Sequence, residues 1–306
     1  MAHTRMHPDE LPIDASLVGR LLAARLPRWA GLPLERVRSA GTDHALYRLG
    51  EDLAVRLPRT PSAAGQVDKE HRWLPRLAPH LPLAVPVPLA LGEPAAGFPW
   101  RWTVVPWLPG VDAARAPLAD PGGAAAGLAG FAAALRRIDP TGGPAPGPHN
   151  FFRGVPLEQR DGPTRAALEA LRGELDELGE AAAAWEAALA APPWDGPPAW
   201  IHGDLSPGNL LAVDGRLSAV IDFGGLGVGD PACDAIPAWS LLAGEHREAF
   251  RAALQVDAAT WARGRGWALS IALIALPYYR HTNPVLVRGA RHVIREVVAE
   301  HRRGAG

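Results

Sequence analysis

Apolar and polar residues alternate with a period of two along the first third of the chain. The runs LERVRSA, HALYRLG and DLAVRLP show this alternation, and the short turn sequences GTD and GE separate them. Such runs predict antiparallel strands joined by tight turns, and VPVPLALGE and RWTVVPWL predict two more strands. Helical spacing predicts one helix over 14–26, capped by Asp14 or Ser16 and ended by Pro27, and another around 65–78.

The rest of the chain follows helical periodicity instead. Apolar residues recur at steps of three and four in a first segment, at Leu128, Phe131, Leu135 and Ile138. A longer run with the same spacing consists of Leu168, Leu171, Leu175, Leu178, Ala182, Trp185 and Leu189. The longer run predicts one amphipathic helix over 168–189, and residues 237–303 predict about three more helices.

This change from period-two alternation to helical periodicity predicts an α+β protein with two lobes. A small, antiparallel, β-rich lobe would cover residues 1–107, and a larger, mostly helical lobe would cover 108–306, with the boundary near PWLPG. A chain of 306 residues with 48 % hydrophobic residues can bury a sizeable core. The formal net charge of −1 gives no reason to expect nucleic acid as a partner.

Cysteine content and hydropathy bear on the location of the protein. Cys233 is the single cysteine, which excludes an intramolecular disulfide and a thiolate metal cluster and fits a reducing compartment. The first residues, MAHTRMHPDELP, lack the apolar segment of a signal peptide, and WALSIALIALPYY is shorter than the ~20 residues that span a bilayer. We therefore expect a cytoplasmic protein without a membrane partner.

A polar loop rich in glycine and proline interrupts two apolar runs at WIHGDLSPGNLL. It holds His202, Asp204, Ser206 and Asn209, and a further apolar run, LSAVIDF, carries Asp222 at its end. If the flanking strands form a hairpin, Asp204, Asn209 and Asp222 converge. A carboxylate and an amide oxygen suit Mg²⁺, which binds few protein groups, and a second carboxylate can accept a hydroxyl proton. This is a minimal set for phosphoryl transfer.

The chain resembles the aminoglycoside phosphotransferase family of small-molecule kinases, which have a protein-kinase-like fold. The segments HGDLSPGNLL and VIDFGGLGVGDPACD carry the resemblance, because they match the kinase pattern of an Asp, four residues and an Asn, followed by D-F-G. The resemblance implies a two-lobed fold, Mg²⁺, and ATP or GTP as co-substrate. It also implies that Asp204 is catalytic and that Asn209 and Asp222 bind the metal.

Four other residues of these two segments are expected to hold the loops in place. His202 and Ser206 flank Asp204 and would organise the catalytic loop. Asp230 and Asp234, in GDPACD, resemble the aspartates of the family's GDPxxD stretch and would brace the loop.

The β-rich part offers counterparts for the nucleotide-binding groups of a kinase. Such a lobe needs a loop over the phosphates, a cation on a strand and a carboxylate on a helix. Gly41, Thr42 and Asp43 form a candidate phosphate loop, although it is not G-x-G-x-x-G. Arg56, in LAVRLP, stands where the strand lysine is expected, and Glu70, in VDKEHRWL, is the candidate helix carboxylate.

Arg56 departs from the family's pattern, because lysine is a compact point charge and arginine is a planar fork. The exchange could impair phosphate positioning and give a pseudokinase. Lys69, the only lysine, lies about 100° around the helix axis from Glu70, so both cannot easily face the cleft. Arginine binds carboxylate and phosphate well, and we expect Arg56 to bridge Glu70 and the α- and β-phosphates.

The segment TVVPWLPG falls where the lobes would be linked, and in the family backbone groups of this linker bind the purine. Pro106 has no N–H to donate, so Trp107 or Leu108 would supply the donor.

The acceptor site is the least defined part of the sequence. Aminoglycosides are polycations, and the longer helical run has an acidic face formed by Glu169, Glu174, Asp176, Glu177, Glu180 and Glu186. The C-terminal segment, by contrast, contains many arginines and only two acids, and so lacks an acidic clamp. Its Tyr278, Tyr279 and His281 are candidates for binding a neutral or sugar-like hydroxyl compound.

Together these features predict a phosphotransferase that moves the γ-phosphate of ATP or GTP to a hydroxyl of a small molecule. An antibiotic, of the aminoglycoside type or another, is the leading acceptor, which would make the protein an agent of antibiotic resistance. A metabolic kinase for a sugar or amino alcohol would use the same machinery. A nucleotide-binding pseudokinase would bind nucleotide with slow or no turnover.

Overall fold

The computed structural model describes residues 10–37 and 41–304. Residues 38–40, at the end of the first predicted strand, and most of the N-terminal stretch considered for a signal peptide lie outside the described residues. The first part of the chain contains α1 (Ala15–Arg25), β1 (Leu34–Arg36), β2 (His44–Leu49), β3 (Leu53–Pro58), α2 (Pro61–Leu77), β4 (Ala90–Gly92) and β5 (Trp102–Pro106).

The strands of this part form one five-stranded sheet in the order β1-β2-β3-β5-β4, and every neighbouring pair is antiparallel. Period-two alternation explains the packing of β2, because Ala45, Tyr47 and Leu49 are buried while the residues between them are partly exposed. At the start of α1, Asp14 accepts a hydrogen bond from the Leu17 amide at 2.7 Å. The antiparallel sheet and the predicted cap are both confirmed.

The second part is mostly helical. It contains β6 (Val111–Asp112), α3 (Pro121–Arg137), α4 (Asp161–Ala170), α5 (Leu178–Leu189), β7 (Ala199–Ile201), β8 (Leu210–Val213), β9 (Arg216–Val220), β10 (Gly227–Gly229), α6 (Pro237–Ser240), α7 (Gly244–Leu254), α8 (Ala258–Tyr279) and α9 (Pro284–Gly304). The predicted α+β class is confirmed. Over residues 10–37 and 41–304, no helix combines the length and the apolar character that crossing a membrane requires.

The helix predicted over 168–189 is wrong as a single element. The chain leaves the helix after Ala170 and enters α5 at Leu178, and Gly173 between them has a left-handed φ of 76°. Leu171 and Leu175 are nevertheless buried in the core. Apolar spacing of three and four can therefore be satisfied by two helices joined through a turn, and the glycine supplies the backbone conformation that the turn needs.

Two hydrophobic clusters form the core, and α2 takes part in the larger one. The smaller cluster packs α1 against the five-stranded sheet. Trp73, Leu74 and Leu77, at the end of α2, belong to the larger cluster, where the ring of Trp73 lies 4.8 Å from that of Trp200. The helix thus joins the sheet to the helical part. A functional division of the chain between residues 107 and 108 stays a prediction.

The strand that follows the polar loop and the next strand along the chain form the predicted hairpin. β8 and β9 are antiparallel, and Leu210 is the partner of Val220. Just beyond this pair the Ile221 amide donates to the Asn209 carbonyl at 2.9 Å. The hairpin therefore places Asn209 beside Asp222, which follows in the chain.

Candidate active site

Asp204, Asn209 and Asp222 meet at the open end of the β8–β9 hairpin. The side-chain amide of Asn209 donates to the Asp204 carbonyl and to Asp204 Oδ2, each at 2.9 Å. The side chain of Asp222 is 35 % exposed, and its backbone has a left-handed φ of 61°. Strained backbone of this kind costs about 1–3 kcal/mol and clusters at functional sites. The three residues predicted to converge do lie together.

The environment of Asp204 would suit the proton acceptor predicted at this position. Its side chain is only partly accessible, and burial raises its pKa above the ordinary value. The charge of Arg153 opposes this shift, the charge of Asp222 adds to it, and hydrogen bonds from Asn209 and Ser206 oppose it. A carboxylate with a raised pKa is a stronger base toward a hydroxyl proton.

His202 ties the two loops of the site together. Its ring is buried, with Nε2 3.2 Å from the Ile221 carbonyl and Nδ1 accepting from the Asp204 amide at 3.2 Å. The ring also packs edge-on against Phe223, with the centroids 4.6 Å apart. Burial lowers the pKa of His202, so the ring is neutral, which is consistent with one nitrogen donating and the other accepting.

Asp234 supports the loop that carries Asp204. Its two carboxylate oxygens accept from the amides of His202, at 2.9 Å, and Gly203, at 2.8 Å. Asp234 thus braces the loop as expected. Asp230 instead forms a buried ion pair with Arg263, whose Nε lies 2.8 Å from Oδ2, and accepts from the Ala232 amide, so its side chain fixes the segment after β10 to α8.

The donor set at the hairpin end fits Mg²⁺ better than a protein-only metal cage. The amide of Asn209 uses its nitrogen on Asp204, which leaves its oxygen available, and Asp222 offers an accessible carboxylate. Among the residues that the structure describes, no group of three or more His, Cys, Asp or Glu side chains could hold a metal. Mg²⁺ commonly takes one or two protein oxygens and completes its shell with water and phosphate oxygens.

Arg56 pairs with Glu70, and both side chains are buried. The guanidinium binds both carboxylate oxygens, through NH1 to Oε2 and through NH2 to Oε1 at 3.3 Å. NH2 also lies 3.9 Å from Asp222 Oδ1. Burial lowers the pKa of Arg56, but the charges of Glu70 and Asp222 outweigh burial and raise it. The strand cation is therefore charged and directed toward Asp222, a predicted metal ligand.

The candidate phosphate loop spans the cleft between α2 and the end of α8. Gln66 donates to Asp43 Oδ2 at 2.7 Å, and the Thr42 hydroxyl donates to Asp43 Oδ1 at 3.2 Å. On the other side the Tyr279 hydroxyl reaches Thr42 Oγ1 at 3.5 Å. Gly41 precedes these residues and is exposed. The loop thus connects α2, which carries Glu70, with Tyr279, a candidate for binding the acceptor.

The linker residues differ in the groups that they leave available. The Trp107 amide already donates to the Asp52 carbonyl at 2.7 Å, and the guanidinium of Arg48 lies over the Trp107 ring at 4.9 Å. Leu108 is then the better candidate for the donor to a purine.

Of the C-terminal candidates, Tyr279 reaches the cleft most directly. Burial raises its pKa, and the charges of Asp43 and Asp204 raise it as well, which places its hydroxyl within electrostatic reach of both. Tyr278 packs edge-on against Tyr279, with the ring centroids 4.7 Å apart, and both Tyr278 and His281 are exposed.

Most of the acidic residues that were candidates for binding a polycation form ion pairs with arginines. Four members of the acidic face form ion pairs: Glu169 with Arg172, Glu174 with Arg280, Glu180 with Arg302, and Glu186 with Arg165. In α9, Glu296 pairs with Arg247, and Glu300 accepts from Trp239 and Trp261. Apart from the exposed local pair of Glu169 with Arg172, these contacts link separate segments of the helical part.

Sequence reasoning did not assign a site role to Lys69. Its Nζ donates to the carbonyl oxygens of Gly224, at 2.6 Å, and His149, at 3.0 Å, and so fixes α2 to the loop that carries Asp222. Burial lowers the pKa of Lys69 to about 8, although Glu70 and Asp222 oppose that shift. The sequence does give one indication, because Lys69 is the only lysine and all the other Lys or Arg positions are arginines.

A second missed feature is the loop over 147–154, which packs against the catalytic loop. Asn150 is fully buried, accepts from the Gly147 amide at 2.9 Å and donates to the Arg153 carbonyl at 3.0 Å. A Cβ placed on Gly203 would lie 3.0 Å from Arg153 Cβ, so the two loops touch. In the sequence, PTGGPAPGPHN has the composition of a plain linker, which hides this role.

Comparison with known proteins gives this geometry a family context. The model of the phosphotransferase enzyme family matches residues 35–267. No curated protein matches the chain. Among solved structures, the chain is similar to an aminoglycoside 2′-phosphotransferase in complex with GDP (16% identity, 94% of this chain and 99% of that chain, TM-score 0.69).

Two further solved structures show the same fold. One is an apoenzyme from Brachybacterium faecium, a macrolide 2′-phosphotransferase (24% identity, 92% of this chain and 98% of that chain, TM-score 0.57). The other is an ADP-bound aminoglycoside phosphotransferase (19% identity, 93% of this chain and 98% of that chain, TM-score 0.55). At these identities the likeness establishes the fold, and the kinase-like architecture predicted from the two motifs is confirmed.

Proposed function

The chain belongs to the phosphotransferase enzyme family, and from this membership we propose that it transfers the γ-phosphate of ATP or GTP to a hydroxyl of a small molecule in the cytoplasm. The observation that carries the proposal is the contact of Asn209 with Asp204 beside the accessible Asp222, with the charged fork of Arg56 3.9 Å from Asp222. The same point therefore offers a base, two metal ligands and a phosphate-binding cation.

In this proposal Asp204 orients the acceptor hydroxyl and takes its proton as the oxygen attacks the γ-phosphorus. Its raised pKa suits that task, and the Asn209 amide fixes the carboxylate at 2.9 Å. Asn209 and Asp222 would hold Mg²⁺, which neutralises charge on the phosphate oxygens. His202 stays neutral and positions the loop, so it carries no proton in the reaction.

The nucleotide would lie between the sheet and the hairpin. Arg56 would contact the phosphates while Glu70 holds its guanidinium, since arginine has enough donors for both anions. Gly41, Thr42 and Asp43 would cover the phosphates, and the Leu108 amide would meet the purine.

The acceptor is a small hydroxyl compound, and two candidate classes remain. An antibiotic is supported by the likeness to aminoglycoside and macrolide phosphotransferases. A metabolic kinase is favoured by the ion pairs that occupy the acidic helix face, because that face then offers few free carboxylates to a polycation. A pseudokinase would not need Asp204, Asn209 and Asp222 together.

The test is Mg²⁺-dependent release of ADP or GDP by the purified protein against a panel of acceptors. The panel contains aminoglycosides, macrolides, peptide antibiotics, amino alcohols and hydroxy acids. Asp204→Asn should abolish release while nucleotide binding persists. Asp214→Asn, in the exposed turn of the same hairpin, is the matched control and should behave as the wild type. Full activity of Asp204→Asn, or nucleotide binding without turnover of any acceptor, would contradict the proposal.

A further inference from the structure

Two arginines without counter-ions lie beside the catalytic loop. The guanidinium carbons of Arg153 and Arg160 are 6.0 Å and 5.6 Å from the ring centroid of Trp267, a buried residue of α8. Within the described ranges, neither guanidinium takes part in an ion pair or a hydrogen bond, although most other partly buried arginines of this chain do. The cluster therefore carries two positive charges, and neither is neutralised by a direct ion pair.

Donor atoms in this cluster are also unsatisfied. The Nε atoms of Arg153 and Arg160 and the indole Nε1 of Trp267 are buried and have no hydrogen-bond partner. Buried polar groups in folded proteins are nearly always paired, because an unpaired donor loses its hydration without compensation. In the described part of the chain, the terminal nitrogens of the two guanidinium groups also lack an ion pair or a hydrogen bond and are not closed to solvent, so an acceptor from outside the chain can reach them.

The charges of the cluster act on each other and on the catalytic base. Burial and the positive charge of Arg153 together lower the pKa of Arg160 to about 10. The charge of Arg153 also opposes the rise that burial causes in the pKa of Asp204, and a Cβ on Gly203 would lie 3.0 Å from Arg153 Cβ. An anion bound by Arg153 would therefore lie beside the loop that carries Asp204.

The loop that carries Arg153 is held in a strained shape. Phe151 and Phe152 are consecutive residues with left-handed φ values of 56° and 57°, a conformation that non-glycine residues avoid. The buried Asn150 holds one end of this segment, and the Gly154 amide, which donates to the Cys233 sulfur at 3.2 Å, holds the other. The fold thus maintains local strain that fixes Arg153 against the catalytic loop.

We propose that Arg153 and Arg160, which both lie near the Trp267 indole, form a subsite for an anionic oxygen group of the phosphoryl acceptor. The acceptor is then a hydroxyl compound that carries its own carboxylate or phosphate, and not a polycation. Guanidinium forks bind both kinds of group through paired hydrogen bonds. The inference rests on the proposed function, because it names the acceptor class of the same site.

The first experiment detects the anion site without turnover. Thermal unfolding is followed in sodium sulfate and in sodium chloride of equal ionic strength. Sulfate should raise the Tm of the wild type, and Arg153→Gln and Arg160→Gln should lose most of that rise. Arg216→Gln is the control, because that side chain is 76% exposed and pairs with Asp120 at the surface.

The same measurement separates a binding role from a structural one. In chloride, Arg160→Gln should melt no lower than the wild type, because it removes a charge that has no partner. A variant that melts several degrees lower in chloride and keeps the full sulfate rise would overturn the proposal. Arg160→Lys, which keeps the charge and loses the fork, should keep only part of the sulfate rise.

The second experiment compares acceptors that differ only in the acid group. The pairs are 4-hydroxybutyrate with 4-hydroxybutyramide, and glycerol 3-phosphate with glycerol, which separate carboxylate from phosphate recognition. The wild type should prefer the acidic member of one pair by at least about tenfold in kcat/KM, and Arg153→Gln and Arg160→Gln should lose that preference. The KM for nucleotide should not change.

The outcomes distinguish this proposal from the proposed function. Equal kcat/KM within both pairs, or a raised KM for nucleotide with an unchanged KM for the acceptor, overturns the acceptor subsite. If no compound is phosphorylated while the sulfate effect depends on both arginines, the proposed function fails and the anion site stands.

Discussion

At the scale of single residues, Arg56 departs from the lysine pattern and still joins its strand to the helix carboxylate. Its fork binds both oxygens of Glu70, and one nitrogen lies 3.9 Å from Asp222. Lysine has three donors on a single nitrogen, whereas the five donors of arginine are spread over a planar fork, so Arg56 can hold both oxygens of Glu70 and still present a nitrogen to a phosphate.

Substitutions at Arg56 should separate charge from shape. Arg56→Lys keeps the charge and should retain turnover within about tenfold, with a higher KM for nucleotide. Arg56→Met leaves the buried Glu70 unpaired and should lower the free energy of unfolding by about 3–5 kcal/mol. Urea unfolding and nucleotide titration measure the two effects.

A matched control is Arg101→Met, which removes an exposed arginine paired with Asp68 and Glu93. Its side chain is 45% exposed, and the free energy of unfolding should change far less than in Arg56→Met. Collapse of activity in Arg56→Lys would show that the fork makes contacts beyond those described above.

Sequence spacing was enough to find the residues of the hairpin, because the Asp204–Asn209 interval and the strand-end position of Asp222 fix their geometry. It was not enough for Lys69, Asn150 and Arg153. Their roles depend on contacts between segments far apart in the chain, such as that of Lys69 with Gly224. No local pattern records such contacts.

At the scale of elements, the break between α4 and α5 shows the limit of helical periodicity. Apolar spacing reports which residues face the core, and Leu171 and Leu175 do face it. Spacing does not report whether the backbone between them stays helical. The arginine after Leu171 is followed by Gly173, and a glycine there permits a left-handed turn that a β-carbon would oppose.

The turn predicts opposite effects for two glycines that both have open space around them. Gly173→Ala should lower the free energy of unfolding by about 1 kcal/mol, because alanine at φ 76° is strained. Gly130→Ala, in the interior of α3 and exposed, should raise it by about 0.5–1 kcal/mol. Urea unfolding of both variants tests the pair, and stabilisation by Gly173→Ala would rule out the left-handed turn.

At the scale of the whole molecule, α2 joins three parts of the structure. Glu70 contacts the sheet through Arg56, Lys69 contacts the loop of Asp222 through Gly224, and Trp73 packs in the larger hydrophobic cluster. The two-lobed class was predictable from the change in periodicity. The placement of α2 was not predictable. Its helical periodicity shows which residues are buried, but it does not show which of the two hydrophobic clusters they pack in.

This arrangement gives the stability of the whole molecule a pH dependence above neutrality. Burial lowers the pKa of Lys69 from 10.5 to about 8. Between these values the unfolded chain binds more protons than the folded chain, so the free energy of unfolding rises with pH. The contribution of Lys69 to that rise is about 3 kcal/mol. The pKa of about 8 already includes the effect of the negative charges of Glu70, Asp222 and Asp43. Each of these charges favours the protonated amine and so opposes the effect of burial.

Urea unfolding of the wild type and Lys69→Met between pH 7.5 and 10.5 tests this assignment. Lys69→Met also loses the hydrogen bonds to Gly224 and His149, which shifts its stability by a constant amount. The difference between the two proteins should therefore grow in favour of the wild type as the pH rises. Parallel curves would show that Lys69 titrates normally.

Because Lys69 is the only lysine in 306 residues and is buried in α2, the folded protein carries a single internal scissile position for a protease that cuts only after lysine. Cleavage there requires α2 to open, since a protease binds its substrate as an extended strand. The cutting rate of such an enzyme thus records how often this one helix separates from the hairpin loop and the larger cluster. The chain in this way contains its own unlabelled reporter of local unfolding at the junction of its two parts.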